Sequence, residues 1–93
     1  MFFDIDIDFM YCLWQKQKGK CALTGIPMTT TKHGRRNTNI SIDRIDSTKG
    51  YTKENVQLVC SAINFMKANM DNSTFLYFCK EVIDYTSKNK NNL

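Results

Sequence analysis

SIDRIDSTKGYTKENVQLVCSAIN, residues 41–64, is the stretch that decides the fold. Together with Ile40, which precedes it, the stretch contains two short runs rich in β-branched residues, 40–44 and 56–59, and a polar loop with Ser-Thr-Lys-Gly lies between them. This pattern predicts an antiparallel pair of strands. Ser61 is a suitable N-cap for a helix that begins directly after the second run. The stretch therefore predicts a strand, a loop, a second strand and a helix in immediate succession.

The residues before this unit predict one helix and an irregular segment. Phe2 to Ile5 could form a short strand, and Asp6 is a suitable N-cap for a helix that runs to about Lys18. Gly19 then ends that helix. From residue 21 to residue 39 the threonines, glycines and adjacent arginines are typical of an exposed loop.

The residues after the unit predict a second flanking helix. Asp71, Asn72 and Ser73 are suitable capping residues, and the apolar residues that follow recur at helical spacing: Phe75, Phe78, Cys79, Val82 and Ile83. Residues 86–93 are polar, which predicts a frayed tail.

Length and composition indicate one small folded domain. The chain has 93 residues, 42% of them hydrophobic and 12% aromatic, which is too much for a disordered segment. Three aspartates interrupt the apolar N-terminal residues, so this stretch is not a signal peptide, and no apolar run approaches the ~20 residues of a membrane span. We therefore expect an intracellular, cytoplasmic protein with reduced cysteines.

Positive charge is concentrated in one part of the chain. The formal net charge is +4, but residues 16–53 carry nine lysines and arginines against two aspartates. Such an excess attracts a polyanion, and duplex DNA is the predicted partner. The alternative is a solvated basic surface without a partner. The cations of this stretch that are expected to contact nucleic acid are Arg35, Arg36, Arg44, Lys49 and Lys53.

Asp43 and Asn64 form the candidate metal site. Asp43 lies near the end of the first predicted strand and Asn64 in the first turns of the helix after the second strand. A helix that crosses a two-stranded ribbon brings these positions together, and they would present two oxygen ligands. That ligand set suits Mg²⁺, which keeps most of its waters and is held by few protein oxygens.

Four segments together resemble a known family: CALTG, SIDRID, GYTKENVQLVC and SAINFMK, in this order. They are similar to the HNH nucleases of the ββα-metal superfamily, particularly the short phage-type proteins, over about residues 7–85. The resemblance implies a single α+β domain with a ββα-metal centre between an N-terminal and a C-terminal helix. It also implies an endonuclease that hydrolyses or nicks DNA with Mg²⁺ or another divalent ion such as Mn²⁺.

The resemblance also implies roles for individual residues. Asp43 and Asn64 take the positions of metal ligands, Asn55 that of the asparagine that fixes the loop between the strands, and Lys67 that of a cation able to reach phosphate. Each has an alternative. Asp43 could cap a turn and Asn64 could be a solvent-facing helix residue, whereas Asn55 is structural in either interpretation.

One departure from the family concerns the general base. The family has a histidine directly after the metal-binding aspartate, where this chain has Arg44. A guanidinium cannot accept a proton from water, but it could clamp a phosphate oxygen. Asp46 is then the first candidate for the base, although it could equally cap the loop. His33 and a metal-bound hydroxide without a dedicated base are the other candidates.

The second departure concerns zinc. Many family members have two CxxC pairs, and here only Cys21 and Cys60 remain of them, so structural zinc is not expected. The two thiols could still lie close together in the core. Because the usual base is missing, the alternative function is a degenerate module that binds nucleic acid or a protein partner without cleaving.

Overall fold

The computed structural model describes residues 5–30 and 37–88. These residues form three helices and a two-stranded antiparallel sheet, which confirms the α+β class. Residues 1–4, and with them most of the strand predicted at Phe2 to Ile5, lie outside the described residues. The elements in chain order are α1 (Ile7–Lys16), β1 (Ile40–Arg44), β2 (Val56–Cys60), α2 (Ser61–Lys67) and α3 (Asn72–Lys88).

The two strands pair with Asp43 opposite Gln57 and Arg44 opposite Val56. Every residue of β2 is buried, because α1 packs against β2 while α2 packs against both strands. The core cluster accordingly includes Leu58 and Val59 from β2. The sheet is small, and its second strand lies between two helices.

Gln17, the residue after α1, forms hydrogen bonds to the edge of β2 that faces away from β1. Its Nε2 donates to the carbonyl oxygen of Leu58 at 2.9 Å, and its Oε1 accepts from the Leu58 N–H at 3.0 Å. The N–H of Ala22 donates to the same carbonyl at 3.0 Å. The buried backbone of Leu58 thus has partners on the side that β1 does not cover.

The start of α1 is as predicted, and its end comes two residues earlier. Asp6 is the N-cap, and its Oδ1 accepts from the Phe9 N–H at 2.8 Å. The helix ends at Lys16, since Lys18 and Gly19 adopt φ angles of 57° and 70°. These left-handed conformations cannot continue a right-handed helix.

The cap predicted for α2 is wrong. Ser61 is the first helical residue, and Cys60 stands at the N-cap position without a side-chain capping bond. Instead the N–H groups of Ser61 and Ala62 donate to the carbonyls of Asn39 and Asn37, at 2.8 and 3.0 Å. The chain just before β1 therefore satisfies the donors that a capping side chain would serve.

Asp71 caps α3 as predicted. Its Oδ1 accepts from the Thr74 N–H at 2.9 Å and from the Ser73 hydroxyl at 3.1 Å. The fraying predicted after Tyr85 is wrong for residues 86–88, which continue the helix, and residues 89–93 lie outside the described residues. Across residues 5–30 and 37–88, no helix has both the length and the apolar character needed to cross a lipid bilayer.

Candidate functional site

A buried ion pair joins β1 to the end of α2. The Nζ of Lys67 lies 2.7 Å from Oδ2 of Asp43, and the two side chains are 0% and 4% exposed. The same Nζ donates to the backbone carbonyl of Arg44 at 2.5 Å. The prediction that Lys67 contacts phosphate is wrong, because burial and these two bonds hold its ammonium inside the protein.

Two amide side chains extend this pair to α3. Gln57 Nε2 donates to Asp43 Oδ2 at 2.9 Å and to Asn72 Oδ1 at 3.0 Å. Gln57 is itself buried and lies opposite Asp43 in the sheet. Asp43 therefore receives hydrogen bonds from β2 and from α2, and Gln57 links it to the first residue of α3. Sequence reasoning missed Gln57 and assigned Asn72 only to the cap of α3.

Asn64 fastens α2 to β1 beside Asp43. Its Nδ2 donates to the Ser41 hydroxyl at 2.5 Å and to the Ile42 carbonyl at 3.2 Å. The side chain is half-buried, so the alternative of a solvent-facing helix residue is wrong. Asn64 thus bonds to the residue next to Asp43, which is the proximity expected for these two positions.

Asn55 holds the loop between the strands. Its Oδ1 accepts from the Asp46 N–H, and its Nδ2 donates to the carbonyls of Asp46 and Gly50, each at 2.9 Å. The residue is only 5% exposed. These bonds fix a polar loop of residues 45–55 from one buried side chain, which is the structural role implied by the family resemblance.

Arg44 also organises this loop. Its Nη1 donates to the carbonyls of Ser47 and Lys49 at 3.1 and 3.2 Å, and its Cζ lies 5.3 Å from the centre of the Tyr51 ring. A cation over an aromatic face is attracted to the ring quadrupole. The guanidinium, with its remaining N–H donors, is thereby held at the surface that also carries Lys49.

Asp46, the first candidate for a general base, instead caps the loop. Its Oδ1 accepts from the Thr48 hydroxyl at 2.6 Å and from the Thr48 N–H at 2.9 Å. These bonds lower the pKa of the Asp46 carboxyl. A lower pKa makes the carboxylate a weaker base, so the geometry favours the loop cap over the base. His33, the other side-chain candidate, lies outside the described residues, as do Arg35 and Arg36.

Two donors, the Lys67 ammonium and the Gln57 amide, already occupy Oδ2 of Asp43, and this arrangement leaves no room for a divalent ion at that oxygen. A metal at Asp43 would compete with Lys67 for Oδ2, and the Gln57 Nε2 that touches the same oxygen is a hydrogen-bond donor, which cannot ligate. Among the residues that the structure describes, no three His, Cys, Asp or Glu side chains form a group able to hold a metal. The cation bound to Asp43 in this arrangement is Lys67.

Cys21 and Cys60 lie close together in the core, as the sequence suggested. Burial raises the pKa of the Cys60 thiol, and the neighbouring Cys21 raises it further. Burial opposes ionisation of Cys21 as well, but hydrogen bonds from the Thr24 hydroxyl and from backbone N–H groups outweigh it, and the pKa of Cys21 is lowered. The two thiols are 3% and 2% exposed and pack with Met28 and Leu58.

Comparisons with protein-family models, with curated proteins and with solved structures gave no significant match. The HNH resemblance therefore stays a prediction from four short segments. The function must be inferred from the hydrogen bonds, burial and charges around Asp43 and the loop of residues 45–55.

Proposed function

We propose that the chain is a nucleic-acid-binding module that contacts phosphates through the loop of residues 45–55 and does not cleave them. The observation that carries this proposal is the buried pair of Asp43 and Lys67. It favours the degenerate module over the metal-dependent endonuclease, because the carboxylate that cleavage would need already holds a cation from the chain itself.

Opening this site to a metal would be costly. Oδ2 of Asp43 would have to exchange Lys67 and Gln57 for the ion, and the displaced ammonium would stay buried with the Arg44 carbonyl as its remaining partner or force α2 to shift. Breaking a buried ion pair costs about 3–5 kcal/mol when one charge is left without a partner. The resting arrangement therefore favours the closed pair.

The loop of residues 45–55 supplies the proposed binding surface. Lys49 and Lys53 are exposed on it, and Arg44 is half-exposed at its start. Asn55 fixes the loop backbone, so its cations are presented from a defined scaffold. Lys53 also reaches α1, since its Nζ lies 5.8 Å from the centre of the Phe9 ring. Contacts of this kind bind the phosphate backbone and carry no sequence preference.

The test measures affinity for a short labelled DNA duplex by fluorescence polarisation over a series of salt concentrations, in Mg²⁺ and in EDTA. We expect equal affinity in both, and we expect the double variant Lys49→Gln/Lys53→Gln to lose roughly 1.8 from the slope of log affinity against log salt, about 0.9 per lost contact. Lys80→Gln removes an exposed cation from α3 and should leave the slope unchanged. A slope that the double variant does not alter, or binding that disappears in EDTA, would refute the proposal.

Metal-dependent cleavage is the second candidate, because Asn64 is bonded to the residue beside Asp43. A supercoiled-plasmid nicking assay with Mg²⁺, Mn²⁺ or EDTA decides between the two. Asp43→Asn and Asn64→Ala run alongside, with circular dichroism to confirm that each variant is folded. Nicking by the wild type that needs a metal and is lost in both variants would establish an endonuclease. We expect no nicking in any of these conditions.

A further inference from the structure

An apolar groove lies between α2 and α3. It has a volume of about 350 Å³ and is lined by Met66 and Met70 from the α2 side and by Phe78, Cys79, Val82 and Ile83 from α3, with Phe75 also in its wall. Phe75 is the buried residue of α3, whereas Phe78, Val82 and Ile83 are 54%, 59% and 63% exposed. The apolar stripe that the sequence predicts on this helix therefore faces outward along most of its length.

The stripe of α3 is separated from the charged side of the same helix. At about 100° per residue, Phe75, Phe78, Cys79, Val82 and Ile83 share one side, while the charged residues occupy the other. Lys80 and Asp84 are paired there at 2.5 Å, and Glu81 and Lys88 balance their charges. An electrically neutral helix with an exposed apolar face does not suit a polyanion, so this surface is distinct from the proposed DNA-binding loop.

We infer that a second copy of this chain occupies the groove, so that two protomers associate through their α3 helices. One molecule carries both halves of the contact, because the exposed apolar side of α3 is also one wall of the groove that it forms with Met66 and Met70. A twofold axis would lay the α3 of each protomer along the groove of the other, and such an interface is self-complementary.

The exposed area is sufficient for a dimer. Six large apolar side chains on and beside the groove are about half-exposed or more: Met66, Leu76, Phe78, Val82, Ile83 and Tyr85. Taking for each of them about 100 Å², half of what a large aromatic side chain buries, their complete burial would cover roughly 600 Å² per protomer. The total of about 1,200 Å² reaches the lower bound for a stable protein interface. A patch of this size is also at the upper end of what monomers expose.

The first test is the mass of the purified chain, measured by light scattering after size-exclusion chromatography over a concentration series. We expect twice the 10.8 kDa of one chain. Val82→Glu places a carboxylate in the interface and should weaken dimerisation by roughly 100-fold or more. Lys88→Glu is the matched control, since Lys88 is exposed on the charged side of the same helix, and this variant should still dimerise.

A second measurement does not depend on any variant. Cys79 lines the groove, whereas Cys12 is exposed on α1. In the dimer we expect a thiol-specific reagent to modify Cys12 at once and Cys79 slowly, with Cys79 becoming reactive on dilution. A monomeric mass at every concentration would overturn the inference, as would dimerisation that Val82→Glu leaves intact or a Cys79 reactivity that dilution does not change.

Discussion

The ammonium of Lys67 lies 2.7 Å from the carboxylate of Asp43, and the two side chains are buried between β1 and α2. The first prediction concerns this relationship. Lys67→Met keeps much of the apolar stem and removes the charge, which leaves Asp43 buried without its cation. We expect the free energy of unfolding, measured by urea denaturation, to fall by about 3–5 kcal/mol.

The double variant Asp43→Asn/Lys67→Met is the control for that experiment. It removes both charges, and the carboxamide oxygen introduced in place of the carboxylate would still accept from Gln57, so most of the lost stability should return. A single variant as stable as the wild type would show that the pair is not buried in solution. A double variant no more stable than the single one would show that the loss comes from packing and not from the unpaired carboxylate.

The second prediction concerns Asn55. Asn55→Ala removes three hydrogen bonds between its side chain and the backbone of Asp46 and Gly50. We expect a loss of about 1–3 kcal/mol in unfolding free energy, because the freed backbone groups lie at a loop where water can reach some of them. Hydrogen exchange of the Asp46 amide should accelerate more than that of Leu58 in β2.

Glu54→Ala is the matched control for Asn55→Ala, since Glu54 is the exposed neighbour on the same loop. It should change neither stability nor exchange. Equal protection of the Asp46 amide in Asn55→Ala and in the wild type would contradict the role of Asn55.

The sequence predicts the parts of this fold that depend on neighbouring residues. Asp6 and Asp71 are predictable as N-caps because each accepts a hydrogen bond from the backbone N–H three residues later, on the helix that it caps. The bounds of β1 follow from a local run of β-branched residues. The N-cap predicted at Ser61 is wrong because distant residues accept from the first N–H groups of α2. The accepting carbonyls belong to Asn37 and Asn39, more than twenty positions earlier in the chain.

The chemistry around Asp43 could not be predicted in the same way. Gln57 faces Asp43 because of the register in which the two strands pair. A connection as long as residues 45–55 does not fix that register, so the sequence does not predict this contact. Whether Lys67 points into the protein or into solvent depends on the rotation of α2 about its axis. The sequence predicts that the cation at position 67 contacts phosphate. In the structure, α2 packs on β1 in such a way that this ammonium lies inside the protein, beside Asp43.

The third prediction compares two glycines with similar backbone angles. Gly19 and Gly25 have φ of +70° and +74°, but a Cβ at Gly19 would lie 2.9 Å from Cζ2 of Trp14, whereas a Cβ at Gly25 would meet nothing within 4 Å. Both alanine variants carry the strain of a left-handed conformation, about 1–2 kcal/mol. We expect Gly19→Ala to cost at least about 1 kcal/mol more, since the indole must also move.

Fluorescence separates the displacement of the indole from the backbone strain that both variants share, because Trp14 is the single tryptophan of the chain. Its emission should shift in Gly19→Ala and stay unchanged in Gly25→Ala, while urea denaturation measures the stability of both. Equal losses of stability in the two variants, with an unshifted emission spectrum in Gly19→Ala, would contradict the close approach of Gly19 to Trp14.

The last prediction concerns acid stability. The backbone N–H of Thr74 and the hydroxyls of Thr74 and Ser73 hold the pKa of Asp71 below its ordinary value, since they bond to the ionised carboxylate. A carboxyl whose pKa is lower in the folded protein than in the unfolded chain stabilises the fold at pH values above the unfolded pKa. That contribution is lost as the pH falls through the folded pKa. Stability should therefore decline below about pH 4.

Asp71→Asn tests this directly, because asparagine keeps an oxygen that can cap α3 but does not titrate. Thermal unfolding of both proteins from neutral pH into acid should show the wild type more stable at neutral pH and the difference shrinking below about pH 4.

Asp71→Ala, which removes the cap, should be less stable than Asp71→Asn at neutral pH. Asp46 has its own lowered pKa and stays in every variant, so most of its acid loss cancels; the Asp71 charge is the smallest of the causes acting on the Asp46 pKa. Curves for the wild type and Asp71→Asn that run parallel throughout would show that the ionised form of Asp71 contributes nothing to the cap.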